Sequence, residues 1–253
     1  MIEKLYCLEI GQGNPLVCLH GYAMDHSIWL RMSDEIKTGV KLILPDLRGH
    51  GRSPSPDGNY SMRSMAEDVL KLMDDRNLER ACVAGHSMGG YIVLALAEYY
   101  PDRISGIALV ASHSFEDIPE KKNARIEDIE RVRHSFVTEV LAEMPEKLTR
   151  NPEIAGYCKQ LISKSSKNGV MGVLAGMAER PDRTAVLKAL EIPKMIIAGV
   201  DDQLIPFKTS KKMAEMIKGL TLVEIKGAGH MPMMEKPFET GSALLNLFER
   251  GNS

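Results

Sequence analysis

The chain has 253 residues, a net charge of −2 and 44% hydrophobic residues, enough for a full core in one large α/β domain. Its near-neutral balance, with no basic stripe, argues against nucleic acid or an anionic membrane surface as a partner. No run approaches the roughly 18 apolar residues of a membrane span and MIEKLYCLEI lacks a signal-peptide core, so a cytoplasmic protein is expected.

Residues 4–10 read as a strand, and Gly11 to Pro15 as a turn cluster. That cluster is not a phosphate loop, because no Lys-Ser/Thr pair follows it. Leu16 to Leu19 is an apolar strand ending in His20-Gly21. Asp25 can cap a helix over 26–37 that turns Ile28, Trp29 and Met32 inward. Val40 to Leu44 is the next strand, closed by a glycine-rich turn over 45–53. Ser61 caps a helix whose apolar positions are Met62, Met65, Ala66, Val69, Leu70 and Met73, one clean helical face.

Ala81 to Ala84 is a buried-strand run, followed by G-H-S-M-G at Gly85 to Gly89 and a long apolar helix stopped by Pro101. A serine between glycines, where a strand turns sharply into a helix, has the form of a nucleophile elbow. Ile104 to Val110 is another strand. From about residue 114 the alternation breaks into helical patterning, with Ile126, Ile129, Val132, Phe136, Val140 and Met144 on one side. Further helices are expected over 152–164, 168–179 and 182–190. Residues 116–183 hold 12 acidic and 12 basic residues, so this helical block carries no net charge. Strand-helix alternation resumes with Lys194 to Gly199, a helix over 207–217, Leu220 to Ile225 and a helix over 236–249. The pattern predicts a doubly wound, mostly parallel α/β sheet. Its core is residues 1–113 and 191–253, with an all-helical cap over 114–190 inserted after the strand that follows the elbow helix.

A serine hydroxyl needs a base to take its proton, and the base needs a third group to orient it. Of the seven histidines, His230 in G-A-G-H-M-P has the suitable setting, on a glycine-rich loop just after a strand. The loop after Lys194 to Gly199 offers two acids, Asp201 and Asp202. The residue after the serine, Met88, can supply a backbone N–H to a developing oxyanion. His20 and His86 are expected to hold loops by hydrogen bonds. An Asp46–Arg48 pair, with His50, is expected to fix the 45–53 turn, and His26 and His134 to lie on helix surfaces. No histidine and cysteine set has metal-ligand spacing, so no metal and no cofactor is inferred. The four cysteines, Cys7, Cys18, Cys82 and Cys158, form no C-x-x-C and read as buried, reduced thiols.

The order Ser87, Asp202, His230, with His20-Gly21 and D-x-R-G-x-G-x-S at 46–53, resembles the α/β-hydrolase superfamily. The resemblance spans nearly the whole chain outside the helical block. It implies a serine carboxylesterase-like enzyme with a helical cap, and an acid four residues before a proline. With Pro206, that selects Asp202 over Asp201. It implies Tyr22 as the second oxyanion N–H. A minority placement of the acid, after the strand that follows the elbow helix, would use Glu116 or Asp117. Only 19 residues precede His20, room for about one strand where the family usually has two, so about seven strands are expected.

Met24, Met88, Met231, Met233 and Met234 cluster near these loops, and Met24, Met231 and His113 are candidate pocket residues. The implied reaction is hydrolysis of a small ester with an apolar acyl group through an acyl-enzyme, without interfacial activation. Another triad hydrolase (thioesterase, carbon–carbon bond hydrolase or iminopeptidase-like) is the alternative, or a non-hydrolytic ligand-binding protein or lyase on this fold. The expected partner is a small-molecule ester, with the chain a monomer or homodimer.

Overall fold

The computed structural model describes residues 4–36 and 39–251. Seven apolar runs form one sheet: β1 (Cys7–Ile10), β2 (Asn14–Leu19), β3 (Val40–Pro45), β4 (Ala81–His86), β5 (Ile104–Val110), β6 (Lys194–Gly199) and β7 (Leu220–Ile225). Their order is β1-β3-β2-β4-β5-β6-β7, with β1 antiparallel to β3 and every other pair parallel. The expected seven-stranded sheet is therefore found. Every residue of β4, β5 and β6 is buried, as central parallel strands covered on both faces must be.

Helices cover the sheet: α1 (Leu30–Ile36), α2 (Met62–Asp74), α3 (Met88–Tyr99), then α4 to α9 between β5 and β6, α10 (Phe207–Met216), α11 (Pro232–Glu235) and α12 (Pro237–Gly251). On β4, Cys82 meets α12 at Gly251, whereas Gly85, of opposite parity, meets α3 at Gly89. Successive strand residues face opposite sides, so α12 and α3 pack on opposite faces. α1 is preceded by a 3-10 turn over His26–Trp29, capped by Asp25, which accepts from the Ser27 amide at 2.9 Å. The end of the helix expected over 26–37 lies outside the described residues.

Parallel register gathers the loops that matter. Leu19 stands opposite Gly85, His86 opposite Val110, Val110 opposite Ile197 and Gly199 opposite Ile225. The turns after β2, β4, β5, β6 and β7 thus leave from one end of the sheet, where ligands bind in open α/β folds.

The segment between β5 and β6 is all helical: α4 (Pro119–His134), α5 (Val137–Val140), α6 (Met144–Leu148), α7 (Pro152–Ser163), α8 (Lys167–Ala178) and α9 (Thr184–Ala189). The apolar stripe expected from Ile126 to Met144 is interrupted, because the chain turns extended at Ser135. Ile126 and Phe136 are exposed, and only Val132 of that stripe is fully buried. Gly169, Gly172 and Gly176 form one face of α8 and touch backbone at Gly49, Gly58 and Tyr60. The Tyr60 amide donates to the Gly172 carbonyl at 2.9 Å. A Cβ at any of the three glycines would collide there, which explains glycines in a helix interior that otherwise lose stability to them.

An ion cluster ties the ends of this segment together. Asp117, buried just before α4, receives Arg180 on both oxygens at 2.8 Å and Arg125 of α4 at 2.6 Å. Burial alone would raise the Asp117 carboxyl, but those guanidinium hydrogen bonds hold it well below the usual carboxylate range. A depressed folded-state carboxyl contributes stability above its ordinary range, near pH 4, and loses it as pH falls. Removing the acid leaves two unneutralised guanidiniums, so Asp117→Ala should destabilise by about 3 kcal/mol at pH 7 in urea unfolding. The gap to the parent chain should narrow as the pH drops below about 4.

Candidate active site

Ser87 is the single residue between β4 and α3, with φ 51° and ψ −114°. For a residue with a side chain this backbone is strained, at a cost of about 1–3 kcal/mol, and it persists only where packing enforces it. The enforcement is visible. A Cβ on Gly85 would overlap the Gly89 carbonyl, and one on Gly89 would fall 2.8 Å from the His20 carbonyl oxygen. The Ser87 amide donates to Val110 at 2.9 Å, and the Ser112 hydroxyl donates to the Ser87 carbonyl at 2.7 Å. The loop after β2 presses on the same turn, since a Cβ on Gly21 would be 3.3 Å from Ser87 Cβ.

His20 and His86 hold this arrangement, as their motifs suggest. His20 Nε2 accepts from the Leu47 amide at 2.9 Å, so its Nδ1–H donates to the Gly21 carbonyl at 2.8 Å. His86 Nε2–H donates to the backbone carbonyl of His230 at 2.8 Å. Burial lowers the pKa of both rings, His86 strongly, so each stays neutral as those bonds require.

Asp202 sits in the turn after β6, where its Oδ1 accepts from the Leu204 and Ile205 amides at 2.8 and 2.9 Å. Its Oδ2 accepts from His230 Nδ1–H at 2.7 Å. The carboxylate is thus fixed by two amides on one side and the imidazole on the other, which leaves Nε2 of His230 free to accept a proton. Asp201 is exposed, and the Leu204 and Ile205 amides of this turn bond Asp202. Asp117, the alternative acid, is taken by Arg180 and Arg125. The backbone amides of Tyr22 and Met88 have no hydrogen-bond partner among the described residues, and the Ser87 side chain does not cap α3.

Ser87, His230, Tyr22 and His86 all open into one cavity of ≈ 640 Å³. Its apolar wall includes Leu148, Leu174, Leu204 and Ile205, with Met144 and Met177 from the helical segment. Met24, Met231 and His113, the residues expected in the pocket, do not line it. Met24 and Met231 fill the core, as do Met88, Met233 and Met234. His113 is buried behind Tyr91, facing its hydroxyl at 3.3 Å, and burial pushes its pKa down to about 3. Proximity in sequence to the loops mistook core filling for pocket lining. The methionines that reach the cavity come instead from α6 and α8.

Two other expectations are corrected. His26 is not a free surface residue: its Nδ1–H donates to Asp46 Oδ1 at 2.6 Å, a bond that raises its pKa. Arg48 pairs with Asp68 at 2.5 Å rather than with Asp46. Asp25, His26 and Asp46 bring three ligand-type atoms within 4.8 Å of one another. Their oxygens already accept from the Ser27, His26 and Arg52 amides, so the trio reads as loop bracing rather than a cation site.

The alpha/beta hydrolase fold family model matches residues 14–237. The chain belongs to that family. A solved structure, that of a thermophilic esterase from Thermogutta terrifontis with malate bound, is 32% identical and superposes with a TM-score of 0.94, covering 98% of this chain and 94% of that one. An AB hydrolase superfamily protein of Bacillus subtilis is 29% identical over 252 residues, 95% of this chain and 93% of its own length. A bifunctional esterase/perhydrolase of Acinetobacter calcoaceticus is 28% identical over 85% of each chain. Family membership and these esterase relatives support hydrolase activity.

One bracing residue escaped the sequence reading. Glu235, in α11, accepts from the Gly229 and Met231 amides at 2.8 and 3.2 Å and from the Thr149 hydroxyl at 2.5 Å. It clasps the chain on both sides of His230, whose own amide donates to Leu148 at 2.9 Å. An acid five residues past G-x-G-H was the available signal. Glu235→Ala strands two loop amides, so it should destabilise by about 2 kcal/mol in urea unfolding. Ester turnover should also fall by at least about tenfold, through misplacement of the imidazole.

Proposed function

We propose that this alpha/beta hydrolase is a serine hydrolase that cleaves a small carboxylic ester through an acyl-enzyme. The observation that carries the reading is the 2.7 Å bond from His230 to Asp202, made beside a serine held at φ 51°. In the proposed reaction His230 Nε2 takes the Ser87 hydroxyl proton as Oγ attacks the carbonyl carbon. The carbonyl oxygen becomes an oxyanion and receives the amides of Met88 and Tyr22. His230 then gives its proton to the departing alcohol, and the C–O ester bond breaks to leave the acyl group on Ser87. Water, deprotonated by the same imidazole, attacks the acyl-enzyme; the imidazolium returns that proton to Ser87 Oγ as the acyl C–O bond breaks, releasing the carboxylic acid and the free serine. Asp202 keeps the proton on Nδ1 and steadies the imidazolium throughout.

A cavity of ≈ 640 Å³ suits a small substrate, and Leu148, Leu174, Leu204 and Ile205 supply apolar packing for it. The helical segment contributes much of that wall, which supports a role as a cap over the site. Among the described residues no helix is long and apolar enough to cross a membrane.

Turnover of a p-nitrophenyl ester series tests the assignment. Ser87→Ala should lose activity by a factor on the order of 10⁶ while remaining folded by circular dichroism. Asp202→Asn should lose about 10⁴, because the ring can then adopt the wrong tautomer, and Asp201→Asn should change little. An active Ser87→Ala protein would remove the nucleophile, and a larger loss at Asp201 than at Asp202 would move the acid.

A further inference from the structure

The cavity carries a charge arrangement that ester cleavage alone does not use. α4 sets Lys121, Arg125 and Asp128 on its wall at one helical face, and Arg131 follows a turn later. Most of the wall's charges are matched. Arg131 pairs with Asp128 at 2.9 Å and Lys147 with Glu143 at 2.8 Å, while Glu139 turns back to the Phe136 amide at 3.4 Å. The remaining two, Lys121 and Arg125, share one acid with a third cation. Arg125 spends its Nε on Asp117, which Arg180 already holds by both oxygens. Lys121 reaches the same carboxylate only at 3.9 Å. One acid therefore faces three cations.

The donors left over point to a ligand. The outer nitrogen Nη1 of Arg125 finds only the Met177 thioether, at 3.5 Å, and a thioether is a weak acceptor. The Tyr22 hydroxyl, also on the cavity wall, is buried with no partner among the described residues. Burial and the charge of Asp128 raise its pKa, which keeps it a donor, and the nearby Arg125 only partly offsets them. A buried donor without an acceptor costs about 1–3 kcal/mol, which a ligand that supplies the acceptor would recover. A guanidinium edge, an ammonium and a phenol together lack any strong acceptor of their own. Their natural complement is a carboxylate, whose two oxygens match one free guanidinium edge and one hydroxyl. Lys121, Arg125 and Tyr22 line the same cavity as Ser87 and His230, so the cluster and the acid–base pair serve one cavity.

We propose that Arg125, Lys121 and the Tyr22 hydroxyl bind a carboxylate carried by the substrate, so that the preferred esters are monoesters of short dicarboxylic acids. The proposal rests on the esterase reading for its ester bond, but not for its anion subsite. The carboxylate stays ionised and unreacted, and orients the far end of the acyl chain while Ser87 attacks the ester carbonyl.

The test compares kcat/KM for mono-p-nitrophenyl succinate, glutarate and adipate with neutral p-nitrophenyl esters of the same length. The parent chain should favour at least one acid ester by about tenfold over its neutral match, and added salt should erode that preference. Lys121→Met and Arg125→Gln should each cut the preference severalfold. Arg125 also braces Asp117, so its variant can fail to fold, whereas Lys121 makes only a distant contact and its variant keeps the test decisive. Calorimetric binding of glutarate to Ser87→Ala protein reads the subsite without turnover, and Lys121→Met in that background should weaken it. Glutarate binding that depends on Lys121, in a chain that cleaves no ester, would uphold the subsite and sink the esterase reading. Neutral esters preferred throughout, or a preference and binding indifferent to both substitutions, would overturn the proposal.

Discussion

The site depends on one strained turn. Ser87 keeps a positive φ because β4 and α3 approach too closely for any other path, with Gly85 against Gly89 and Gly90 against Ser112. The closeness follows from the sheet: β2 and β5 flank β4 in parallel register and deliver His20-Gly21 and Ala111-Ser112 beside the same turn. Strain of about 1–3 kcal/mol is small against the burial of β4, β5 and β6 on both faces, so the core can sustain it. On the proposed function the turn offers a hydroxyl open to the cavity and, among the described residues, the unbonded amides of Tyr22 and Met88, as acyl transfer requires.

The second dependence is between the helical segment and the base. His230 is bound through its backbone on both sides: its amide reaches Leu148 at the end of α6, and its carbonyl receives His86 from the elbow. Glu235 adds Thr149 to the same network. The helical segment is thus joined to the imidazole loop by hydrogen bonds as well as lining the cavity. The α8 glycine face fixes it to the core, and the Asp117 cluster ties its two ends together. A displacement of α6 would therefore be felt at His230, because packed and hydrogen-bonded elements move together.

The central sheet was legible because buried parallel strands write themselves as short apolar runs, whereas the edge strands β1 and β7 carry Glu9 and Glu224 among their apolar residues. The acid–base pair was legible for a different reason: Ser87, Asp202 and His230 each stand at the end of such a run, within a motif of fixed spacing. Pocket lining was not. Met24 and Met231 lie next to the right loops, but a strand-end neighbour can point into the core as easily as into the cavity, and nothing local distinguishes the two. The α4 stripe misled because periodicity was followed across the break at Ser135, where Phe136 escapes to solvent. The Asp117–Arg180–Arg125 cluster joins residues 63 positions apart at its widest, and Glu235 reaches Thr149 over 86. Pairings of that range leave no periodic trace, and they are what shape the site's polarity.

The account turns on Ser87 being a nucleophile activated by the His230–Asp202 pair. Incubation with a p-nitrophenyl alkylphosphonate, followed by peptide mass mapping, reads this without assuming a substrate. The account predicts one stoichiometric phosphonyl adduct on the peptide containing Ser87, with labelling at least about 10³-fold slower in the Asp202→Asn protein. An unlabelled parent chain, or an adduct on any other residue, would contradict it.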